Sequence, residues 1–278
     1  MYIPKTKFIY PTQSDTHMLH VTPKYHDVLD KNYDFVKKGR AFKFKRFFFN
    51  ILWYGLALPV ARIRYMVRVE GKKKLKQYKK IAKKEGIITT SNHVFVWDYL
   101  VLRSIVRFPK PKVLIWEKNN TAGLSRMYHL AGCVPITSNV NGFKKLYRDI
   151  DQLLVEKNWL HIYAEEAMFY YYVPIREFKK GTFLFSYKHN IPVLPISYSY
   201  REPKGIFKYL RRNPFVTMHI GDLVYPDTTI DRSEAIEKQK NEARMQMIKM
   251  CGIGTLEENE RIAREYYTYE DGHTYKNM

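Results

Sequence analysis

His93 and Asp98 are separated by four intervening residues in SNHVFVWD, a run that begins as an apolar segment ends. An imidazole needs a partner to become a useful base. If His93 lies in a turn and Asp98 in the first turn of the following helix, the carboxylate can reach back to one ring nitrogen, fix the tautomer and stabilise the imidazolium. The other nitrogen is then free to take a proton. This is the base and orienter of a catalytic triad without a protein nucleophile, which suits a reaction whose attacking oxygen comes from a substrate hydroxyl. The same spacing also suits an Asp cap beside a hydrogen-bonded loop histidine. Two carboxylates, Glu165 and Glu166, follow 67 residues after Asp98 in WLHIYAEE, and the basic turn REFKKG comes next.

Such a pair needs a strand-to-helix junction, and the local patterns supply one. GIITTSNH reads as a buried strand ending at Asn92 and His93, and a helix is expected from about Trp97 to Val106. Further strands are expected in KVLIWEK, GCVPI, WLHIYAEE (with Glu165 and Glu166 on it), IPVLPISYSY and FVTMHIGDLV. Helices are expected over Thr121 to Ala131, over Asn141 to Lys157 with Phe143, Leu146, Ile150, Leu153 and Leu154 on one stripe, over Lys179 to His189, and over Asp231 to about Cys251. Strands alternating with helices imply an α/β fold with a largely parallel central sheet flanked by helices, and such sheets hold their sites where strands end.

The chain has 278 residues, 45% of them hydrophobic and 15% aromatic, which excludes a disordered chain and allows one large core. Its net charge of +21 points to an anionic partner. The charge is uneven: residues 1 to 86 carry 21 Lys and Arg against 6 Asp and Glu, or +15, leaving +6 for the other 192. Inside the basic part lies FFFNILWYGLALPV, Phe47 to Val60, between Lys43, Lys45, Arg46 and Arg62, Arg64, Arg68. Fourteen apolar residues fall short of the roughly 20 that a spanning helix needs. Basic flanks and aromatic content instead suit an interfacial membrane helix, aided by the lysines between Lys72 and Lys84.

The expected organisation is therefore an N-terminal extension (1–39), a basic, apolar membrane-surface anchor (40–85), a catalytic domain (86–226) and a C-terminal helical tail (227–278). Two cysteines, Cys133 and Cys251, are too few for a disulfide framework or a four-thiolate zinc site. The opening MYIPKTKFIYPTQSD lacks the marks of a signal peptide, so export is not expected. Charge and aromatics also suit a nucleic-acid-binding protein, but no RNP, KH, helix-turn-helix or zinc-finger pattern is present, and no nucleic-acid partner is expected.

Four ordered blocks resemble the lysophospholipid acyltransferases, also called the 1-acylglycerol-3-phosphate acyltransferase family. NHVFVWD resembles its NHxxxxD, AGCVPI its second block, YAEEAM its [FY]PEG[TA] block, and IPVLPI its closing VPVxPV strand; REFKKG resembles the basic element after the third block. The resemblance covers about residues 86 to 225. It implies transfer of a fatty acyl group from acyl carrier protein or coenzyme A to a lysophospholipid hydroxyl, on the cytoplasmic side of the cell membrane, by a peripheral or monotopic protein bound to anionic lipid. No metal or other cofactor is implied beyond the thioester co-substrate. His93 is then the base and Asp98 its orienter, Glu165 touches the acceptor hydroxyl, and Gly132 permits a close turn beside the acceptor.

Four positions depart from the family pattern: Glu166 and Ala167 replace the Gly and Thr of the third block, and Ser138 and Met168 stand where arginines usually hold the acceptor phosphate. Arg176, Lys179 and Lys180 lie downstream as candidate replacements, with lysine lacking the two-pronged fork of arginine. A glycolipid or other lipid hydroxyl as acceptor, and a non-catalytic lipid-binding scaffold, remain alternative readings of those departures.

Overall fold

The computed structural model describes residues 1–18, 28–106, 111–119, 124–210 and 213–270. The chain opens with a short strand β1 (Ile9–Tyr10), followed by a helical stretch over 40–64: α1 (Arg40–Leu52), one π turn (Trp53–Ala57) and α2 (Leu58–Arg64). Pro59 stands in the first turn of α2 and has no N–H for a carbonyl four residues back, so the helix changes register there. After β2 (Arg68–Glu70) and α3 (Leu75–Glu85) come β3 (Ile87–Ser91), α4 (Asp98–Ile105), β4 (Lys112–Ile115), α5 (Leu124–Ala131), β5 (Cys133–Pro135), α6 (Val140–Val155) and β6 (Trp159–His161). The rest is α7 (Gly181–His189), β7 (Val193–Arg201), α8 (Phe207–Leu210), β8 (Phe215–Ile220), α9 (Arg232–Met250), α10 (Leu256–Tyr266) and β9 (Thr268–Tyr269).

Seven strands form one sheet in the order β2-β8-β7-β3-β6-β4-β5. Five of them, β7 to β5, are parallel; β8 is antiparallel to β7 and takes β2 with it. Every residue of β3 is buried, as befits a central strand covered on both faces. Helix ends carry their own signals. Asn139 caps α6 by accepting from the Gly142 N–H at 2.9 Å, and Thr255 caps α10 while Glu258 accepts from the Gly254 N–H.

The fold is α/β with a largely parallel seven-stranded sheet flanked by helices. Two local expectations need correction, and a third falls on residues that are not described. Phe143 is 50% exposed although Leu146, Ile150, Leu153 and Leu154 beside it on α6 are buried, so the buried stripe starts one turn later. The strand expected through WLHIYAEE ends at His161: the Glu166 N–H turns back onto the Tyr163 carbonyl, and Glu166 itself is left-handed, which puts Glu165 and Glu166 in a loop. The stretch before Leu124, expected to begin a helix at Thr121, lies partly outside the described residues.

Candidate active site

Asn92 directly follows the central strand β3, with its side chain held by both backbone groups of Tyr198 on β7, accepting at 2.8 Å and donating at 2.9 Å. The chain then turns over five residues into α4, and Asp98 is the first helical residue. This brings His93 Nδ1 within 2.6 Å of Asp98 Oδ2. The imidazole is 21% exposed and the carboxylate 1%, so the pair is sealed on one side and open on the other. Asp98 Oδ1 accepts from the Tyr99 N–H and from the Tyr163 hydroxyl, each at 2.7 Å. A carboxylate oxygen at this distance accepts from the ring and draws the histidine proton to Nδ1, leaving the Nε2 lone pair free.

Tyr163 also packs flat on the His93 ring, with centroids 4.0 Å apart and 20° between planes. Its phenol is held neutral: burial first, then the Asp98 charge, raise its pKa well above the usual value. The His161 ring meets Tyr163 edge-on at 4.6 Å and pairs through Nδ1 with the Thr89 hydroxyl at 3.0 Å. Burial drives the His161 pKa down to about 3, so it stands as a neutral prop. Tyr163 and His161 escaped the sequence reading, although their spacing of two at a strand end is the signal that puts side chains on one face.

The loop from Ile162 to Lys179 is laced to the His93 turn. The Phe169 and Tyr171 N–H groups donate to the His93 and Val94 carbonyls, and the Lys179 N–H closes the loop on the Ala164 carbonyl. Glu165 is the clasp: it accepts from the His93 N–H at 3.2 Å, the Arg176 N–H at 2.9 Å and the Arg176 guanidinium at 3.0 Å. Glu165 and Arg176 thus form a buried ion pair, 1% and 5% exposed, rather than a free contact surface. Arg176 donates further to the Ala167 and Ser14 carbonyls and lies 3.9 Å over the Phe169 ring.

Lys179 pairs with Asp15 at 2.9 Å, and Lys180 turns to α9, where it meets Glu237 at 2.8 Å. The structure therefore brings Glu165 and Arg176 to the His93 turn but gives the two lysines carboxylate partners of their own. Ser138 is held by Glu117, which accepts from its N–H at 3.0 Å and its hydroxyl at 2.9 Å, and Met168 is buried. Gly132 is left-handed at φ +91°, and a Cβ there would lie 3.1 Å from the Arg46 guanidinium and 3.3 Å from that of Arg103.

The N-terminal extension borders the same loop, which its sequence did not disclose. Tyr10 is buried, donates to the Tyr170 carbonyl at 2.6 Å, and its strand β1 pairs with β9 from the far end of the chain. Phe8 stacks on Tyr170, and His17 stacks on Trp116 with centroids 3.8 Å apart. Of the three consecutive tyrosines, Tyr172 is core, packed on Tyr10 and Tyr267, while Tyr171 donates to Asn213. Among the described residues no group of His, Cys, Asp and Glu could hold a metal ion. Cys133 and Cys251 are buried thiols whose pKa burial pushes up to about 12.

No curated protein matches the chain. Among solved structures it is similar to the 1-acyl-sn-glycerophosphate (LPA) acyltransferase, PlsC, from Thermotoga maritima, at 16% identity and a TM-score of 0.49, over 75% of this chain and 97% of that one. The Acyltransferase family model matches residues 66–199, from just before β2 into β7, and so encloses the His93 turn, the Asp98 helix and the Glu165 loop. The stretch that carries His93, Asp98 and Glu165 is thus similar to the acyltransferase family over residues 66–199.

Proposed function

We propose that the chain moves a fatty acyl group from a coenzyme A or acyl carrier protein thioester to a lysophospholipid hydroxyl, most simply that of 1-acylglycerol-3-phosphate to give phosphatidic acid. The observation that carries this is the 2.6 Å contact between His93 Nδ1 and a buried, triply bonded Asp98, with the other imidazole edge open. His93 Nε2 takes the acceptor hydroxyl proton as the oxygen attacks the thioester carbonyl. The tetrahedral intermediate collapses, the C–S bond breaks, and the imidazolium returns the proton to the leaving thiolate. Asp98 balances the imidazolium throughout, and Tyr163 holds Asp98.

The proposed setting is the cytoplasmic surface of an anionic membrane. In its support, Phe44, Phe47, Phe48, Ile51, Leu52, Leu56 and Ile63 are exposed along the helical stretch 40–64, flanked by basic residues, whereas soluble surfaces rarely gather so many large apolar groups. Among the described residues no helix is long and apolar enough to cross a membrane.

A second reading concerns the acceptor alone. Ser138 bonded to Glu117, and Met168 in the core, leave no cation at either position, which favours a lipid hydroxyl whose headgroup is not a phosphomonoester. The test is incubation of purified protein in anionic vesicles with radiolabelled thioesters and a panel of lysolipids, with His93→Ala in parallel. Label in phosphatidic acid only, lost by at least about 100-fold in the variant, supports the first reading. Label in another lipid supports the second, and equal turnover by His93→Ala defeats the mechanism.

A further inference from the structure

Away from His93, at the junction of α1, α4 and β4, positive charge collects with no acid to meet it. Arg103 on α4 is fully buried and, among the described residues, its hydrogen-bond partners are all neutral: the Ala131 carbonyl at 2.5 Å, the Tyr99 hydroxyl at 2.8 Å, the Tyr54 hydroxyl at 2.9 Å and the Pro111 carbonyl at 3.4 Å. Arg46, on the inner side of α1, converges with it on Gly132. Lys112 opens β4 next to both. Among the described residues no carboxylate pairs with any of the three; the acid acting on Lys112 from a distance, Glu156, is itself bound to Lys38 at 3.1 Å. Cys133, between them, is a neutral thiol.

The hydrogen-bond census points the same way. The Nε of Arg46, the Nε of Arg103 and the indole N–H of Trp53 are buried donors without acceptors, and the side-chain carbonyl of Asn50 nearby also lacks a partner. Arg46, Asn50 and Trp53 follow at helical spacing, so one side of α1 presents all three to the body. Burial, then the charges of Arg46 and Arg103, bring the Lys112 pKa down to about 7. Unpaired buried charges and orphaned donors are costly, and natural cores rarely keep several together without a compensating group.

The required group is an anion with several acceptor oxygens, small enough to enter between helix and sheet. We infer that Arg46, Arg103 and Lys112 form a binding site for a phosphate group at the α1, α4 and β4 junction, separate from the His93–Asp98 pair. Arginine forks match phosphate oxygens geometrically, and lysine adds a point charge. The opposite side of α1 carries exposed Phe47, Phe48 and Ile51, so the phosphate is either that of a lipid headgroup reached from this helix or a free phosphate.

The test uses the full chain in uncharged detergent and reads its melting temperature, because a ligand that binds only the folded state raises it. Inorganic phosphate is titrated against chloride at matched ionic strength, and dihexanoyl phosphatidylglycerol against dihexanoylglycerol. A saturating rise of several degrees with inorganic phosphate assigns the site to free phosphate; a rise with phosphatidylglycerol alone assigns it to a headgroup. His93→Ala keeps the rise, while Arg46→Gln and Lys112→Gln lose it. Without ligand, Arg46→Gln melts at or above the parent, since it removes an uncompensated charge, which a merely structural arginine would not do. No rise with either probe, or an undiminished rise in Arg46→Gln or, should that variant not fold, in Lys112→Gln, overturns the inference.

Discussion

At the residue scale, the site depends on how Asp98 is held. Its Oδ1 has two donors and its Oδ2 one imidazole, and Tyr163 supplies one of those donors while stacking on the ring that the carboxylate orients. Tyr163→Phe keeps the stack and removes only the hydroxyl. A hydrogen bond to a buried charge contributes roughly 1.5–3 kcal/mol. The expected outcome is a fall in kcat of about 10-fold or more with KM little changed, measured by thioester consumption; unchanged kcat means that Tyr163 is packing alone.

His161 carries a pH signature. Its folded-state pKa, about 3, lies below the ordinary value of 6.5 because burial disfavours the cation. The unfolded chain binds a proton below pH ~6.5 that the folded chain refuses, so this stabilisation is complete above that pH and is lost as pH falls toward 3. The expected slope is up to about 1.4 kcal/mol per pH unit between roughly pH 6 and 4. Urea melts of the parent and His161→Asn at pH 7, 6, 5 and 4 check it: the variant must lose less stability than the parent over that range.

At the scale of elements, the loop after β6 holds the site together and contains a strained residue to do so. Glu166 is left-handed at φ +62°, where a side chain costs about 1 kcal/mol. Glu166→Gly is therefore expected to raise stability by about 0.5–1 kcal/mol in urea unfolding, the reverse of the usual effect of a glycine substitution. Lower stability in the variant means that the Glu166 side chain has contacts outweighing its backbone strain. The 40–64 stretch invites a different test. Phe47, Phe48 and Ile51 are all exposed, so replacing them together by Ser leaves the core untouched. Sedimentation with anionic vesicles should fall by at least about 10-fold, from the loss of apolar area, while the melting temperature stays near that of the parent. Full sedimentation of the triple variant places the lipid contact elsewhere.

At the scale of the whole molecule, two segments far apart in the chain, β1 and the residues after α10, fold back on the loop beside His93. Tyr10 from β1 and Tyr267 and Tyr269 beyond α10 pack in one aromatic cluster with Phe169 and Tyr172 of the site loop. The buried Glu165–Arg176 pair is completed from outside by the Ser14 carbonyl, so the first residues of the chain help set the wall of the site.

What the sequence determined by itself is local chemistry and layer order. The spacing of His93 and Asp98, the apolar runs of β3, β4 and β7, and the Asn139 and Asp231 caps are properties of short stretches, and short-range sterics and burial decide them. The exposed apolar side of α1 was legible in the same way, because FFFNILWYGLALPV has basic ends and too little length to span. Tertiary structure alone decided which charged groups meet. Arg176 was legible as a free cation near the site, but the fold buries it on Glu165; Lys179 and Lys180 were legible as a pair, and Asp15 and Glu237 take one each. Likewise Tyr163 reaches Asp98 across 65 residues, and Arg46 reaches Gly132 across 86. The reason is physical: helix and strand periodicity are written in neighbours along the chain, whereas ion pairing depends on distance and burial in three dimensions, which strand order sets and no local pattern encodes.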